Sequence, residues 1–358
     1  KQQIYYTIFF FNNNEFIFRF QDWGSYLEWV NDISSPRMLL EYGFPLVSIV
    51  DSVFAAQLLL VLGFGGWLNT VMKWWLLEDR PYWWVHETTF YSGHRPRLKQ
   101  TRQTCETGPG APSGHSGAGA AAIVLLLMFL SHVMRDRKFY LKYWKYVMYP
   151  LCGAAICSIM LARLYVAAHF PHQCLMGMLI GAFMAPALCI YVSDPFIWRY
   201  GPHAAMDPSA GVAWHVVSAC AAVAIAAVTY GGLKMCGIDP QWTVKLAFRW
   251  CEQPEHIHVS TTPLFALMQC TASLLGWALS VTPAVAEYRH DTPHRSLVIS
   301  SFSTGLVMYG FHHLAANVDK TNTYYACHFL LNTIKPALLL RLTPTLAMWP
   351  FSGKEKIE

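Results

Sequence analysis

Apolar runs of roughly 18 residues or more, long enough to cross a hydrocarbon core of about 30 Å, recur from about Met38 to near the C-terminus. They predict membrane-spanning helices near residues 28–50, 54–75, 115–134, 143–161, 169–192, 211–233, 262–284, 295–315 and 325–349. Asp32 and Arg37 interrupt the first run, and the fifth is rich in Gly, Pro and His. The pattern has no internal repeat, no heptad and no soluble second domain. The fold class expected is therefore all-α: a polytopic integral membrane protein of about nine transmembrane helices. Residues 1–34 form an N-terminal segment, 35–349 a single transmembrane domain, and 350–358 a polar tail. The aromatic start is broken at Asn12-Asn13-Asn14-Glu15 and lacks a small-residue cleavage site, which argues against a signal peptide.

Composition agrees with a membrane chain. Of 358 residues, 54% are hydrophobic and 13% are charged, about half the charged fraction of a typical soluble domain, which is about 25%. A net charge of +5, scattered along the chain, does not point to nucleic acid. The basic cluster Arg135, Arg137, Lys138, Lys142 and Lys145 lies between the third and fourth spans, and cytoplasmic loops collect Lys and Arg. Placing that loop in the cytosol fixes the parity of the rest. The end of span two, the start of span three and the connection from span four to span five then share the opposite, lumenal side. The N-terminus is lumenal and the C-terminus cytosolic. The ten cysteines form no C-x-x-C pair. Cys105, Cys236 and Cys251 fall on the lumenal side, where a disulfide is permitted, and the sequence leaves the pairing open.

Three separated pieces with one chemistry lie on that lumenal side: Lys73 followed by Arg80-Pro81, then Pro112-Ser113-Gly114-His115, then Arg163 with His169 after it. The cations Lys73, Arg80 and Arg163 offer fixed positive charge to a phosphoryl dianion, and the histidines His115 and His169 offer a nucleophile and a proton donor. The stretch from Gly108 to His115 runs into an apolar helix, so its backbone N–H groups and the helix N-terminus form a natural anion cradle. Ser113 and Gly114 are its expected donors. Three cations in one low-dielectric pocket repel one another unless they share an anion. Glu106, Trp83 and Trp84 lie close in sequence to these motifs and are candidate sugar contacts, since carboxylates and aromatic faces serve that purpose; interfacial anchoring is the other reading of the tryptophans. His172, His256 and His258 lack a third ligand at metal-site spacing, so no metal and no cofactor are expected.

These pieces resemble the signature of the type 2 phosphatidic acid phosphatase and vanadium haloperoxidase superfamily. Within it, RPYWWV (80–85), CETGPGAPSGH (105–115), YVAAHFPHQ (165–173) and RWCEQPE (249–255) resemble the glucose-6-phosphatase catalytic-subunit family. The resemblance runs from about Ser35 onward and implies hydrolysis of glucose 6-phosphate in the endoplasmic reticulum lumen, through a phosphohistidine, by a nine-span protein. It implies that His169 is the nucleophile and that His115 protonates the leaving sugar oxygen and then activates water. Lys73, Arg80 and Arg163 hold the phosphate. A separate glucose 6-phosphate transporter is the implied partner, alongside membrane lipid. Two positions depart from the superfamily pattern: Ala162 stands where a serine precedes the arginine, and Gln173 where an aspartate orients the nucleophilic histidine. Either Gln173 or a backbone carbonyl must then hold the tautomer of His169. The chain ends Lys354-Glu355-Lys356-Ile357-Glu358, which matches a cytosolic dilysine retrieval signal of the endoplasmic reticulum. The competing readings are a lipid phosphate phosphatase with the same phosphate site and a weakly active paralogue.

Overall fold

The computed structural model describes residues 21–91, 95–96, 98–135, 143–199, 208–289, 295–318 and 323–351. The N-terminal residues 1–20, the basic residues Arg137, Lys138 and Lys142, and the dilysine tail lie outside the described residues. Among the described residues every regular element is helical. The principal ones are α1 (Gly24–Ile33), α2 (Phe44–Val50), α3 (Ser52–Leu76), α4 (Pro81–Glu87), α5 (Gly114–Arg135), α6 (Trp144–Tyr165), α7 (Pro171–Leu188), α8 (Pro208–Met235), α9 (Trp242–Trp250), α10 (Pro263–Ser280), α11 (Leu297–Val318), α12 (Tyr324–Ala337) and α13 (Thr343–Met348).

Six helical stretches among the described residues are long and apolar enough to cross a membrane: Ser52–Glu87, Gly114–Met134, Trp144–Tyr165, Pro171–Ile197, Gly211–Met235 and Pro263–Ser280. They correspond to six of the nine expected spans. The other three differ for visible reasons. The run at 28–50 is divided between α1 and α2, with a wide turn at Leu39–Gly43 between them. The run at 295–315 is a single 22-residue helix, α11, whose apolar character is diluted by Ser300, Ser301, Ser303, Thr304, His312 and His313. The run at 325–349 contains Pro336 and Pro344 and passes through a wide turn at Leu338–Leu342, as expected where proline removes a ladder hydrogen bond.

The chain packs as two units. The first comprises Lys1–Pro36, Leu68–Phe183 and Ala226–Ala266. In it, α1 lays Leu27 and Val30 against Ile159, Ala162 and Tyr165 of α6 and against Val166 and Ala168 beyond it. The helices α5 and α7 meet through glycines: a Cβ on Gly181 would overlap the carbonyl of Gly117, and one on Gly177 would overlap the carbonyl of Ser113. Small residues allow such approach where lipid supplies no hydrophobic drive between helices. The second unit comprises Arg37–Trp67, Met184–Ile225 and Leu267–Glu358. Three of its buried or half-buried polar side chains pair within the unit, as a membrane interior favours. Trp67 Nε1 donates to Ala222 O at 2.8 Å, Trp277 Nε1 to Ala56 O at 2.9 Å, and Gln57 Nε2 to Asp194 Oδ1 at 2.7 Å.

Candidate active site

The three pieces of the phosphate motif fall at or beside helix ends of the first unit. Lys73 is in the last turn of α3, Arg80 caps the start of α4, His115 opens α5, and Arg163 closes α6. His169 lies in the short connection between α6 and α7. The two turns that return the chain toward the site contain non-glycine residues at positive φ, Leu77 at 51° and Ala167 at 52°. That left-handed conformation costs a side-chain-bearing residue roughly 1–2 kcal/mol, and both residues lie within three positions of a candidate catalytic group.

Arg80 is fully buried and all three of its nitrogens are engaged. Nε donates to Gly108 O, Nη2 to Pro109 O at 3.2 Å, and Nη1 to Ala168 O at 3.2 Å. The same Nη1 lies 2.9 Å from Glu106 Oε2 and 3.3 Å from His169 Nε2. Arg163, also fully buried, donates from Nη1 to Asn31 Oδ1 and from Nη2 to Glu106 Oε1 at 2.6 Å. Its Nε is buried without a partner among the described residues. Lys73 Nζ lies near the Gly108 backbone, where a Cβ on Gly108 would be 3.5 Å from it. His115 Nδ1 is 3.6 Å from Glu106 Oε1. The structure thus brings Lys73, Arg80, Arg163, His115, His169 and Glu106 into one cluster.

The tautomer of His169 follows from its neighbours. Nδ1 lies 2.7 Å from Gly110 O, and a carbonyl can only accept, so Nδ1 carries the proton. Nε2 faces Arg80, which can only donate, so Nε2 presents its lone pair. Burial, then the Arg80 and Arg163 guanidiniums, push this imidazole well below its usual pKa, so it is held neutral. A neutral ring with a free Nε2 beside two guanidiniums is the state a nucleophilic histidine needs. The group that orients it is the Gly110 carbonyl, aided by Gln173, whose Oε1 lies 3.3 Å from Nδ1. Gln173 is fixed in turn: Oε1 accepts from Phe170 N, and Nε2 donates to Glu78 Oε2 and Asp79 O, both at 2.9 Å. Gly110 N donates to Glu78 O at 2.7 Å. The neutral amide therefore braces the backbone where the superfamily's aspartate would hold the ring directly.

Several expected site residues have other engagements. The Ser113 amide is bonded to Gln173 O at 3.0 Å, and its Oγ accepts from Ser116 N at 3.4 Å, so the residue caps α5. Gly114 lies against Asn69 and Pro36, and Asn69 Nδ2 anchors the turn by donating to Pro112 O at 2.9 Å. Trp83 is fully buried against Tyr82 and Trp242, with Nε1 donating to Asp79 Oδ1 at 2.9 Å. Trp84 packs edge-on to Phe170 and Tyr91. Both indoles are part of the packing of α4, because Pro81 starts a helix whose turn directs them into the protein. Sequence reasoning did not single out Asn31, Glu78, Asn69 or the Gly110 carbonyl. The signal for Asn31 was a buried polar position one turn after Leu27 on the apolar face of α1. Among the described residues no group of three His, Cys, Asp or Glu is placed to hold a metal ion.

Glu106 holds the centre of the cluster. Burial alone would raise its carboxyl, but Arg163 and Arg80 outweigh that and hold it well below the ordinary carboxylate range. Its backbone is anchored on both sides: Tyr82 Oη donates to Glu106 O at 2.9 Å, and Cys105 is joined to Cys251 by a disulfide across 146 residues. Cys236, the third cysteine expected on this side, is free and exposed. Loss of a native disulfide typically costs about 2–5 kcal/mol. The pair Cys105→Ser, Cys251→Ser is therefore expected to lower the thermal midpoint of the solubilised protein and to slow turnover together. An unchanged midpoint would mean that the bond does not hold the Glu106 loop.

Comparison with known proteins shows the family to which the chain belongs. The model of the PAP2 superfamily matches residues 54–197, the stretch carrying Lys73, Arg80, His115, Arg163 and His169. Glucose-6-phosphatase 3 of Homo sapiens is 30% identical over 332 residues, covering 91% of this chain and 90% of that protein. Glucose-6-phosphatase catalytic subunit 1 of Rattus norvegicus is 30% identical over 334 residues, covering 90% of this chain and 88% of the relative. The same subunit of Canis lupus familiaris is 33% identical over 275 residues, covering 76% and 72%. No solved structure matches the chain significantly.

Proposed function

Because the chain belongs to the glucose-6-phosphatase family, we propose that it hydrolyses glucose 6-phosphate to glucose and phosphate, with His169 as the nucleophile. The observation that carries this reading is the lone pair of His169 Nε2, 3.3 Å from the buried guanidinium of Arg80 in the cluster that also contains Arg163 and His115. In the first step Nε2 attacks phosphorus and the ester bond to the sugar oxygen breaks. His115 gives that oxygen its proton. In the second step His115, now neutral, takes a proton from water as it attacks the phosphohistidine, releasing phosphate and restoring His169. Lys73, Arg80 and Arg163 hold the three equatorial oxygens, whose charge is greatest in the trigonal-bipyramidal transition state. Fixed donors in a water-poor site stabilise such charge without reorganising at the moment of reaction.

The site is proposed to face the lumen of the endoplasmic reticulum, with the C-terminus and its dilysine signal in the cytosol. Span parity and the basic stretch between the third and fourth spans support this reading. Since the substrate is made in the cytosol, a transporter must deliver it, and the reaction would supply free glucose at the end of gluconeogenesis and glycogen breakdown. The test is phosphate release by microsomes containing the protein, from glucose 6-phosphate, mannose 6-phosphate and phosphatidate, in the presence of a chelator. Glucose 6-phosphate should be hydrolysed best, and rupture of the vesicles should raise the rate toward the substrate supplied outside. Preference for phosphatidate would establish the lipid phosphatase reading instead, and an equal rate in sealed and ruptured vesicles that lack the transporter would refute the lumenal site. Negligible hydrolysis of all three esters would favour the weakly active paralogue.

A further inference from the structure

The Glu106 carboxylate lies where the phosphoryl group must bind. Oε1 is 2.6 Å from Arg163 Nη2 and 3.6 Å from His115 Nδ1; Oε2 is 2.9 Å from Arg80 Nη1 and 4.0 Å from His169 Nε2. One carboxylate thus touches or faces both guanidiniums and both histidines assigned to phosphoryl transfer. A phosphate cannot take those donors while the carboxylate holds them, and no two anions share two guanidiniums at such distances without strong repulsion. The backbone of Glu106 is pinned by Tyr82, by its own N–H to Thr104 O at 2.9 Å, and by the Cys105–Cys251 bond. What can move is the side chain, which is 17% exposed and so has a route out of the cluster.

We infer that Glu106 is a built-in competitor for the phosphate site, which must turn away when substrate binds and thereby sets the enzyme's selectivity for sugar phosphates over free phosphate and simple phosphate esters. Tethered in place, the carboxylate competes at an effective concentration in the millimolar range or above, independent of the solution around it. Inorganic phosphate displaces it and offers in return only its own acidic hydroxyl, leaving the carboxylate with fewer donors than it gave up. A sugar phosphate offers hydroxyl groups, each able to donate to the displaced carboxylate. Substrate binding therefore exchanges one set of charged hydrogen bonds for another, whereas product phosphate is expelled when Glu106 returns. The inference deepens the proposed function, resting on the same phosphoryl site, and is tested apart from turnover.

The experiment uses the full-length protein solubilised in detergent and measures the orthovanadate concentration that raises its thermal midpoint half-maximally, with orthophosphate as a second probe. Glu106→Gln keeps the shape and removes the competing charge. It should respond to both oxyanions at concentrations at least tenfold lower than wild type. Glu106→Asp, a methylene shorter and unable to reach both arginines equally, should shift in the same direction by less. In parallel, KM for glucose 6-phosphate should rise in Glu106→Gln relative to KM for an aryl phosphate, since only the sugar ester uses the displaced carboxylate. Equal or weaker oxyanion response in both variants overturns the inference, whatever the activity. If Glu106→Gln does not fold, Glu106→Asp alone decides by the same criterion. Tighter oxyanion binding without glucose 6-phosphate hydrolysis in wild type would sustain the competitor role and refute the proposed substrate, so the two readings fail separately.

Discussion

Replacing His169 by alanine is expected to abolish phosphate release and to leave no phosphoenzyme, whereas His115→Ala should still accept a phosphoryl group from an aryl phosphate. Phosphate monoester hydrolysis is among the slowest uncatalysed reactions, with enzymatic accelerations reaching roughly 10²¹-fold. General acid catalysis supplies only about 10²- to 10⁴-fold of such a factor, and an aryl leaving group needs little protonation. Quenching labelled substrate without acid should trap acid-labile, base-stable phosphohistidine on wild type and on His115→Ala, but not on His169→Ala. Label that persists in His169→Ala and disappears in His115→Ala would reverse the two roles. The pH dependence adds a second check. His169 is held well below the ordinary histidine value by burial and the neighbouring arginines, so it takes up a proton only at correspondingly lower pH. An ordinary histidine, with a pKa of about 6.5, is roughly three quarters protonated at pH 6 and would lose its nucleophilic lone pair there. The rate of phosphoenzyme formation from an aryl phosphate, whose own ionisation is corrected for, should therefore hold nearly constant from pH 7.5 to about 6. A fall with a midpoint near 6.5 would show that His169 titrates freely.

Much of this was legible in the sequence because the chemistry is carried by residues that hydropathy makes conspicuous. Lys73, Arg80, Arg163, His115 and His169 are charged or titratable groups at the ends of apolar runs, and the helices end where those runs end. The parts that were not legible depend on contacts distant in sequence or on the backbone. Asn31 reaches Arg163 across 132 residues, and nothing local to α1 marks it as part of a phosphate site. The orienter of His169 is a backbone carbonyl, which no residue type announces. Gln173 was expected as one of two ways to hold the ring; the structure has it at 3.3 Å, with Gly110 O closer at 2.7 Å. Glu106 was legible as a carboxylate near the motifs but not as the partner of both arginines, because mutual repulsion of the cations requires an anion and does not specify that the chain supplies one. Trp83 and Trp84 read as sugar contacts or interfacial anchors because sequence does not reveal which way a seven-residue helix turns its faces. The disulfide was permitted among three cysteines, and only the fold brings Cys105 to Cys251.

The Gly110→Ala substitution should lower kcat by about 10²- to 10⁴-fold, the range lost when a catalytic histidine is deprived of its general-acid-base function or correct tautomer. The reason is steric before it is electronic. A Cβ at Gly110 would overlap the carbonyl oxygen of Asp79 and lie 2.9 Å from Gln173 Oε1. The Asp79 carbonyl is backbone, held next to Arg80 at the start of α4, so the Gly110 turn must move instead. As it moves, the 2.7 Å bond from His169 Nδ1 to Gly110 O is broken, along with the bond from Gly110 N to Glu78 O. Freed of its carbonyl, the ring can place its proton on Nε2, where it blocks attack on phosphorus. The phosphoenzyme yield from an aryl phosphate should fall in step with kcat, since formation of the covalent intermediate is the step affected. Gly153→Ala is the matched control: Gly153 lies exposed in the interior of α6, and a Cβ there meets nothing within 4 Å. Its activity should equal wild type, and its stability should rise by up to about 1 kcal/mol, the helix-propensity difference between Ala and Gly. Full activity in Gly110→Ala would show that Gln173, and not the carbonyl, fixes the nucleophile.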